Sequence, residues 1–284
     1  MTVDMSGFSN KPGLAGSGAD AELQWAIGAL NHGRPDEAER FARNVLARIP
    51  QHGKASYLLG CALLQQNRPA QAVAPLERAA RALQDPAVET QLGLALRRVG
   101  RTDDALTRLR RATKRRPAHA EAFHELGYLL LSSGRIEEAV TVVEHGIQLA
   151  PGAVELPLLL GVVHQGRGDG AKAKAAFAQA LAIAPDHPGA HYGMGMVLAD
   201  GAEYAQSAEH LQRALASNAA DVQARLKLAV CLLELGRTAE ALGNFRAAVH
   251  SDPSCYGTAL TLVSCSARGR FWLRPSTAKQ QLKG

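Results

Sequence analysis

An all-α fold built from seven repeated helix–turn–helix units is what these 284 residues predict, and three observations predict it. The first is a dipeptide, Leu59-Gly60, Leu92-Gly93, Leu126-Gly127, Leu160-Gly161 and Met194-Gly195, recurring at steps of 33, 34, 34 and 34 residues. The second is a set of further series in phase with it. Small residues stand at Ala38, Ala72, Ala105, Ala139, Ala173, Ser207 and Ala241. A large apolar residue follows four positions later at Leu76, Leu109, Val143, Phe177, Leu211 and Phe245, and a small one three further on at Ala79, Ala112, Gly146, Ala180, Ala214 and Ala248. The third is punctuation. Gly33, Gly100, Gly134, Gly168 and Gly236 stop the first helix of a unit, and Pro50, Pro117, Pro151, Pro185 and Pro253 close the second.

Taken in order, residues 1–18 are rich in Gly and Ser and read as a disordered tail. The units then span 19–52, 53–85, 86–119, 120–153, 154–187, 188–221 and 222–255. The fourth shows the pattern clearly: Phe123, Leu126, Leu130 and Leu131 share one helical face, and Ile136, Ala139, Val140, Val143 and Ile147 share the next. The first unit drifts, with Trp25-Ala26 in place of Leu-Gly and Ala42 where a large residue is usual. The fifth carries Pro157 early in its first helix, where a missing N–H is tolerable. The sixth has Ser207 for Ala and Ala219 for Pro, and the seventh has Leu228-Ala229. Residues 256–268, with Ala259, Leu262 and Val263, read as a capping helix with no second helix to follow. The basic tail 269–284, with Phe271, Trp272 and Leu273, either folds back on the last unit or meets a partner or membrane surface. A mid-helix glycine costs roughly 0.5–1 kcal/mol against alanine. Five of them imply a closely approaching helix, with Ala72, Ala105, Ala139 and Ala173 as the expected counterparts.

Charge is uneven. The chain carries +6, yet Arg97 to Arg116 holds nine basic residues against Asp103 and Asp104, so the rest is close to neutral. General polyanion binding is therefore not implied by the basic balance. No apolar run approaches the ~18–20 residues of a membrane span, and the N-terminus lacks a basic start followed by an apolar stretch, so a cytoplasmic protein is expected. Arg outnumbers Lys 24 to 8, a bias associated with GC-rich bacterial genomes. Cys61, Cys231, Cys255 and Cys265 lack metal-ligand spacing and read as reduced thiols. His124-Glu125 begins like a metalloprotease helix, but Tyr128 stands where the second His belongs. His187 and His191 have Pro188 between them. The glycine-rich stretch 166–170 has neither a preceding strand nor a closing Lys-Ser/Thr. No nucleophile–base–orienter set is present, so no enzyme, no metal and no cofactor is expected.

The repeated pattern resembles the tetratricopeptide repeat family, W-x2-L-G-x2-Y, then A-x3-F, A and P, over about five-sixths of the chain. The resemblance implies a right-handed superhelical solenoid whose first helices line a concave groove that binds a partner segment. The groove-facing positions fall at Leu23 and Ile27, Tyr57 and Cys61, Thr90 and Leu94, His124 and Tyr128, Leu158 and Val162, Tyr192 and Met196, Leu226 and Val230. Of these, Tyr57, Cys61, Thr90, Leu94, His124, Tyr128, Tyr192 and Met196 are the candidate groove, with Arg97 and Arg98 at one edge. The alternative, packing between units, stays open for several of them. The Lys and Asn with which some members clamp a terminal carboxylate are absent, as is the asparagine ladder of the nucleocytoplasmic glycosyltransferases. The 29 residues after residue 255 are also too few for the transferase domain that some relatives carry.

The expected function is a non-catalytic scaffold or adaptor for another protein. Two rivals remain: an accessory subunit of an envelope- or glycan-assembly enzyme, and a polyanion or anionic-membrane binder using Arg108, Arg110, Arg111, Lys114 and Arg115. The resemblance puts that helix on the convex side. Neutralisation by Glu137, Glu138 and Glu144 is the plain reading of the patch, and nucleic acid is disfavoured because no aromatics interleave with it.

Overall fold

A computed structural model describes residues 17–264, 273 and 275–283. Among them every regular element is a helix. The chain divides into two compact units, Met1–Pro151 and Gly152–Gly284.

The first unit holds α1 (Ser17–Asn31), α2 (Pro35–Arg48), α3 (Gly53–Gln65), α4 (Pro69–Ala82), α5 (Pro86–Arg98), α6 (Thr102–Thr113), α7 (Ala120–Ser132) and α8 (Ile136–Leu149). Each helix packs on the next in sequence, and α1, α3, α5 and α7 also pack on one another in series. The second unit repeats the scheme with α9 (Glu155–Gly166), α10 (Gly170–Ile183), α11 (Pro188–Asp200), α12 (Tyr204–Ser217), α13 (Val222–Glu234) and α14 (Thr238–Ser251). A 3-10 turn at Pro253–Cys255 leads into α15 (Tyr256–Ser264), and α16 (Pro275–Lys283) follows.

Local chemistry fixes the boundaries. Pro35, Pro69, Pro86 and Pro188 open their helices where the missing N–H costs nothing. The Asp85 carboxylate accepts from Ala87 N at 2.7 Å, and Nδ1 of His52 and His187 accept from Ala55 N and Ala190 N. At the other end, Gly100 has φ +81°. Its N–H donates to Arg97 O and that of Arg101 to Leu96 O, closing the last turn through a left-handed residue. Asn67 and Ala202 take the equivalent turns with φ of +57° and +61°.

The mid-helix glycines do mark close approaches, but their counterpart differs from the one expected. A Cβ on Gly60 would lie 2.4 Å from Leu76 Cγ, and one on Gly93 2.6 Å from Leu109 Cγ. The large residue of the following helix, not the small one four positions before it, fills the space above the glycine. Phe177 is the extreme case: fully buried, it meets Gly161 of α9 at 2.5 Å and Gly193 of α11 at 2.4 Å from those virtual methyls.

Two expectations at the chain ends change. Helix α1 already includes Ser17 and Gly18, and residues 1–16 lie outside the described set. At the other end a second helix does follow the cap: α16 packs on α14 and α15 and buries Ala278 and Leu282. A cap of nine residues leaves the apolar hind face of α14 partly uncovered, and α16 supplies the missing cover. Residues 265–268 of the expected cap, with Phe271 and Trp272, lie outside the described residues.

Candidate functional site

The expected groove splits into buried and open parts. Tyr57, Cys61, Thr90 and Leu94 are buried and offer no surface to a partner. The reason is that α3 is enclosed by α1, α2, α4 and α5, and α5 by α3, α4, α6 and α7. Ten consecutive residues in each, Ala55–Leu64 and Ala87–Leu96, are buried, so these two helices have no open face along their middles. Burial pushes the Tyr57 phenol well above its ordinary pKa and the Cys61 thiol up to about 12, which keeps both protonated and inert. The Thr90 hydroxyl is spent on Pro86 O at 2.7 Å. Cys231 and Cys255 are likewise buried free thiols. Cys265 lies outside the described residues.

The open part of the first unit sits on α7. Tyr128 is 47% exposed, and the Arg97 guanidinium lies 5.0 Å from its ring centroid. Arg97 is held in that place by Glu125, 3.2 Å away, with His124 on the other side of the same carboxylate at 3.7 Å. Burial alone would raise the Glu125 pKa, but hydrogen bonds and charge from His124 and Arg97 overcome it and hold the carboxyl below its usual range. Arg98, one residue on, donates to Leu64 O at the C-terminal end of α3. These side chains form a small polar platform: a tyrosine face, backed by a cation that is fixed by a half-buried carboxylate. In the second unit, Val162 is 53% exposed, and Leu158, Tyr192 and Met196 are half-buried. That surface is apolar, with one phenol whose pKa is raised by burial and by Asp221.

The basic stretch is paired more thoroughly than its sequence suggests. Arg108 and Arg111 reach the same carboxylate, Glu89, at 3.3 and 3.4 Å. Glu89 projects from α5 and is only 2% exposed. Arg110 bonds Glu138 at 2.6 Å, and Arg135 bonds its other oxygen. These two guanidiniums hold the Glu138 carboxyl below its ordinary pKa, the hydrogen bond from Arg110 contributing most. Arg115 donates to Gln84 at 3.4 Å, and Lys114 is exposed at the end of α6.

Sequence reasoning passed over Glu89. Its signal was present: Glu89 stands three residues before Leu92, where the repeat pattern calls for an aromatic core residue. It also missed the partner of His191. His191 does not meet His187; its Nδ1 lies 2.9 Å from Nδ1 of His210 on α12, and its Nε2 lies 2.8 Å from Pro185 O. Because a carbonyl only accepts, Nε2 carries the proton, Nδ1 of His191 accepts, and His210 donates.

A family model for the tetratricopeptide repeat matches residues 23–86, 90–154, 158–201 and 192–254. The chain belongs to the tetratricopeptide repeat family. Solved structures with the same fold include Cut9 in the APC/C Cut9–Hcn1 hetero-tetramer, at 15% identity and a TM-score of 0.66. That match covers 93% of this chain and 48% of the other. Pseudomonas aeruginosa pilF matches at 20% identity and 0.63 over 73% of this chain and 94% of its own, and a MamA protein at 19% and 0.52 over 61% and 94%. No curated protein sequence matches. Repeats of this family commonly mediate protein–protein interaction. Among the described residues no helix is long and apolar enough to cross a membrane, and no group of three His, Cys, Asp or Glu is placed to hold a metal ion.

Proposed function

We propose that this chain is a non-catalytic protein-interaction module. In the first unit it docks a partner segment on the α7 platform of His124, Tyr128 and Arg97, and in the second on the apolar surface around Val162, Tyr192 and Met196. The observation that carries the reading is the exposure of Tyr128 beside a preset cation. An aromatic ring left half in water, with its guanidinium neighbour already immobilised, loses little entropy when a side chain lands on it. The partner chemistry that fits is an aromatic or aliphatic side chain at each surface. The pairing of Arg108, Arg110 and Arg111 with Glu89 and Glu138 favours this reading over polyanion binding, because each of those cations already has a carboxylate partner within the chain.

The test is capture from native cell extract by the full chain and by its Tyr128→Ala and Val162→Asp variants, with circular dichroism as the fold control. A lost aromatic anchor is worth about 2 kcal/mol or more, roughly thirtyfold in affinity. Recovery of a partner by the parent and its loss from either folded variant supports the proposal. Equal recovery by all three refutes it.

A further inference from the structure

The sixth helix pair is closed by a contact of its own kind. The fourth and twenty-third residues of its repeat, His191 and His210, are both imidazoles, a combination that no other repeat of the chain has. His191 stands in the first turn of α11 and is 2% exposed, and His210 is half-buried midway along α12. Their ring centroids are 5.1 Å apart, with the planes at 43°. Nε2 of His191 donates to Pro185 O at 2.8 Å, and the Nδ1 atoms of the two rings meet at 2.9 Å. The contact therefore joins three segments: the turn that leaves α10, the start of α11 and the middle of α12. One turn further along α11, the same two helices are joined by a group that does not titrate. The buried Ser207 hydroxyl of α12 donates to Gly195 O at 2.7 Å.

Proton count makes the first contact conditional. The neutral pair holds its ring protons on His191 Nε2 and His210 Nδ1. An added proton goes to His210 Nε2 and leaves the Nδ1 contact intact. The next can go only to His191 Nδ1, and two N–H groups then face each other in a slot that admits almost no water. The charges around the pair do not offset this. α10 brings Lys174, already 3.0 Å from Glu203, and α12 brings Arg213 and Glu209. The turn before α11 adds Asp186 and His187, and Nδ1 of His187 is spent on Ala190 N at 3.2 Å. Of the other helices on α11, α9 carries Glu155 and His164, and α13 carries Arg225, Lys227 and Glu234. Burial first, then His191 and Arg213, with less from Lys174, hold the His210 pKa below its ordinary value against the pull of Glu209. In the fourth repeat the same two places hold Phe123 and Val142, so that contact is indifferent to protons.

We infer that His191 and His210 form a proton-operated latch at the start of α11. Neutral, it ties α11 to α12 and to the preceding turn. With both rings protonated, it releases that turn and the first turn of α11, while Ser207 keeps the rest of the helix pair closed. The latch operates within the chain and needs no partner. The experiment is hydrogen exchange of the full chain, read by mass spectrometry at about pH 7.5 and about pH 5, on either side of the ordinary histidine value, with rates corrected for the intrinsic effect of pH. Beside the parent stand His191→Phe alone and His191→Phe with His210→Val, the pair of residues found in the fourth repeat. Circular dichroism and thermal melting verify that both variants fold. The expected result is a loss of protection by about tenfold or more at the lower pH in parent peptides covering residues 184–193. The variants should change there by less than about twofold, and α3 and α5 should keep their protection in all three proteins. Equal loss in parent and variants, no loss in the parent, or a loss in the parent that extends equally to α3 and α5 overturns the inference.

Discussion

The clamp on Phe177 allows a prediction that changes sign with its background. Gly161→Ala places a methyl carbon 2.5 Å from Phe177 Cε1, 2.7 Å from Cδ1 and 2.8 Å from Cζ. Ordinary carbon contact begins near 3.5 Å, so the overlap is about 1 Å. The ring cannot simply retreat, since it is fully buried and Gly193 of α11 approaches it as closely. Overpacking of this kind costs roughly 1–3 kcal/mol. Alanine returns about 0.5–1 kcal/mol of helix preference. The net expectation is destabilisation by about 1–2 kcal/mol. With Phe177→Ala already in place the obstacle is gone, and the same Gly161→Ala change should now stabilise by about 0.5–1 kcal/mol. Urea denaturation of the four proteins, followed by circular dichroism, gives the full cycle. If Gly161→Ala destabilises equally in both backgrounds, the glycine is not there to admit the ring, and the packing argument for this position fails.

Other expectations can be checked with the same instruments. Burial, the neighbouring His191, Arg213 and Lys174 lower the His210 pKa below 6.5, against a weaker opposing pull from Glu209. The fold therefore favours neutral His210: its contribution is complete above pH 6.5 and is lost as pH falls through the lower folded value. His210→Gln should flatten the acid limb of the stability–pH curve relative to the parent. An unchanged difference between the two proteins from pH 7.5 to 4.5 would exclude the pair as its source, a window set around the ordinary histidine value of about 6.5. Ala202 is a non-glycine residue with φ +61°. Left-handed backbone costs an alanine about 1–2 kcal/mol, and the extra unfolded-chain entropy of glycine returns part of that. Ala202→Gly should thus stabilise by about 0.5–1 kcal/mol, visible as a higher melting temperature; a lower one would contradict the strain.

The fold was legible because stacking makes each helix pair solve the same packing problem. Gly60, Gly93, Gly161 and Gly195 each face the large side chain of the following helix, so the same residue types recur at the same spacing. Phase alone could not say which member of the next helix fills the space. Ala72 and Leu76 are four residues apart and share one face, and it is Leu76 that the folded chain places over Gly60. The division after Pro151 left no trace in the spacing either, since the 34-residue step runs through it unchanged. The buried fate of Tyr57 and Thr90 was hidden for a related reason. A groove position is defined by its place within one helix pair, whereas its exposure depends on how closely the neighbouring pairs on either side approach.

What sequence reasoning missed at the polar sites is one slot used more than once. In the third repeat, 86–119, the fourth residue is Glu89, and the twenty-third and twenty-sixth are its partners Arg108 and Arg111. In the sixth, 188–221, the fourth and twenty-third are His191 and His210. In the fourth, 120–153, the fourth and twenty-sixth are Phe123 and His145, with rings packed edge to face at 5.6 Å. The two helices of a pair therefore press the same positions together whether they carry charge, imidazole or hydrocarbon. Lone titratable residues looked unpaired because they were compared with neighbours along one helix, such as His187 with His191. Their partners lie 19 or 22 residues away, across the turn. A buried carboxylate is tolerable in such a slot only when the facing positions are basic, which is why Glu89 and the arginines of α6 have to be read together. The basic stretch is then in part the other half of a buried ion pair, and its arginines are first of all what allows α5 to carry a charge in its core.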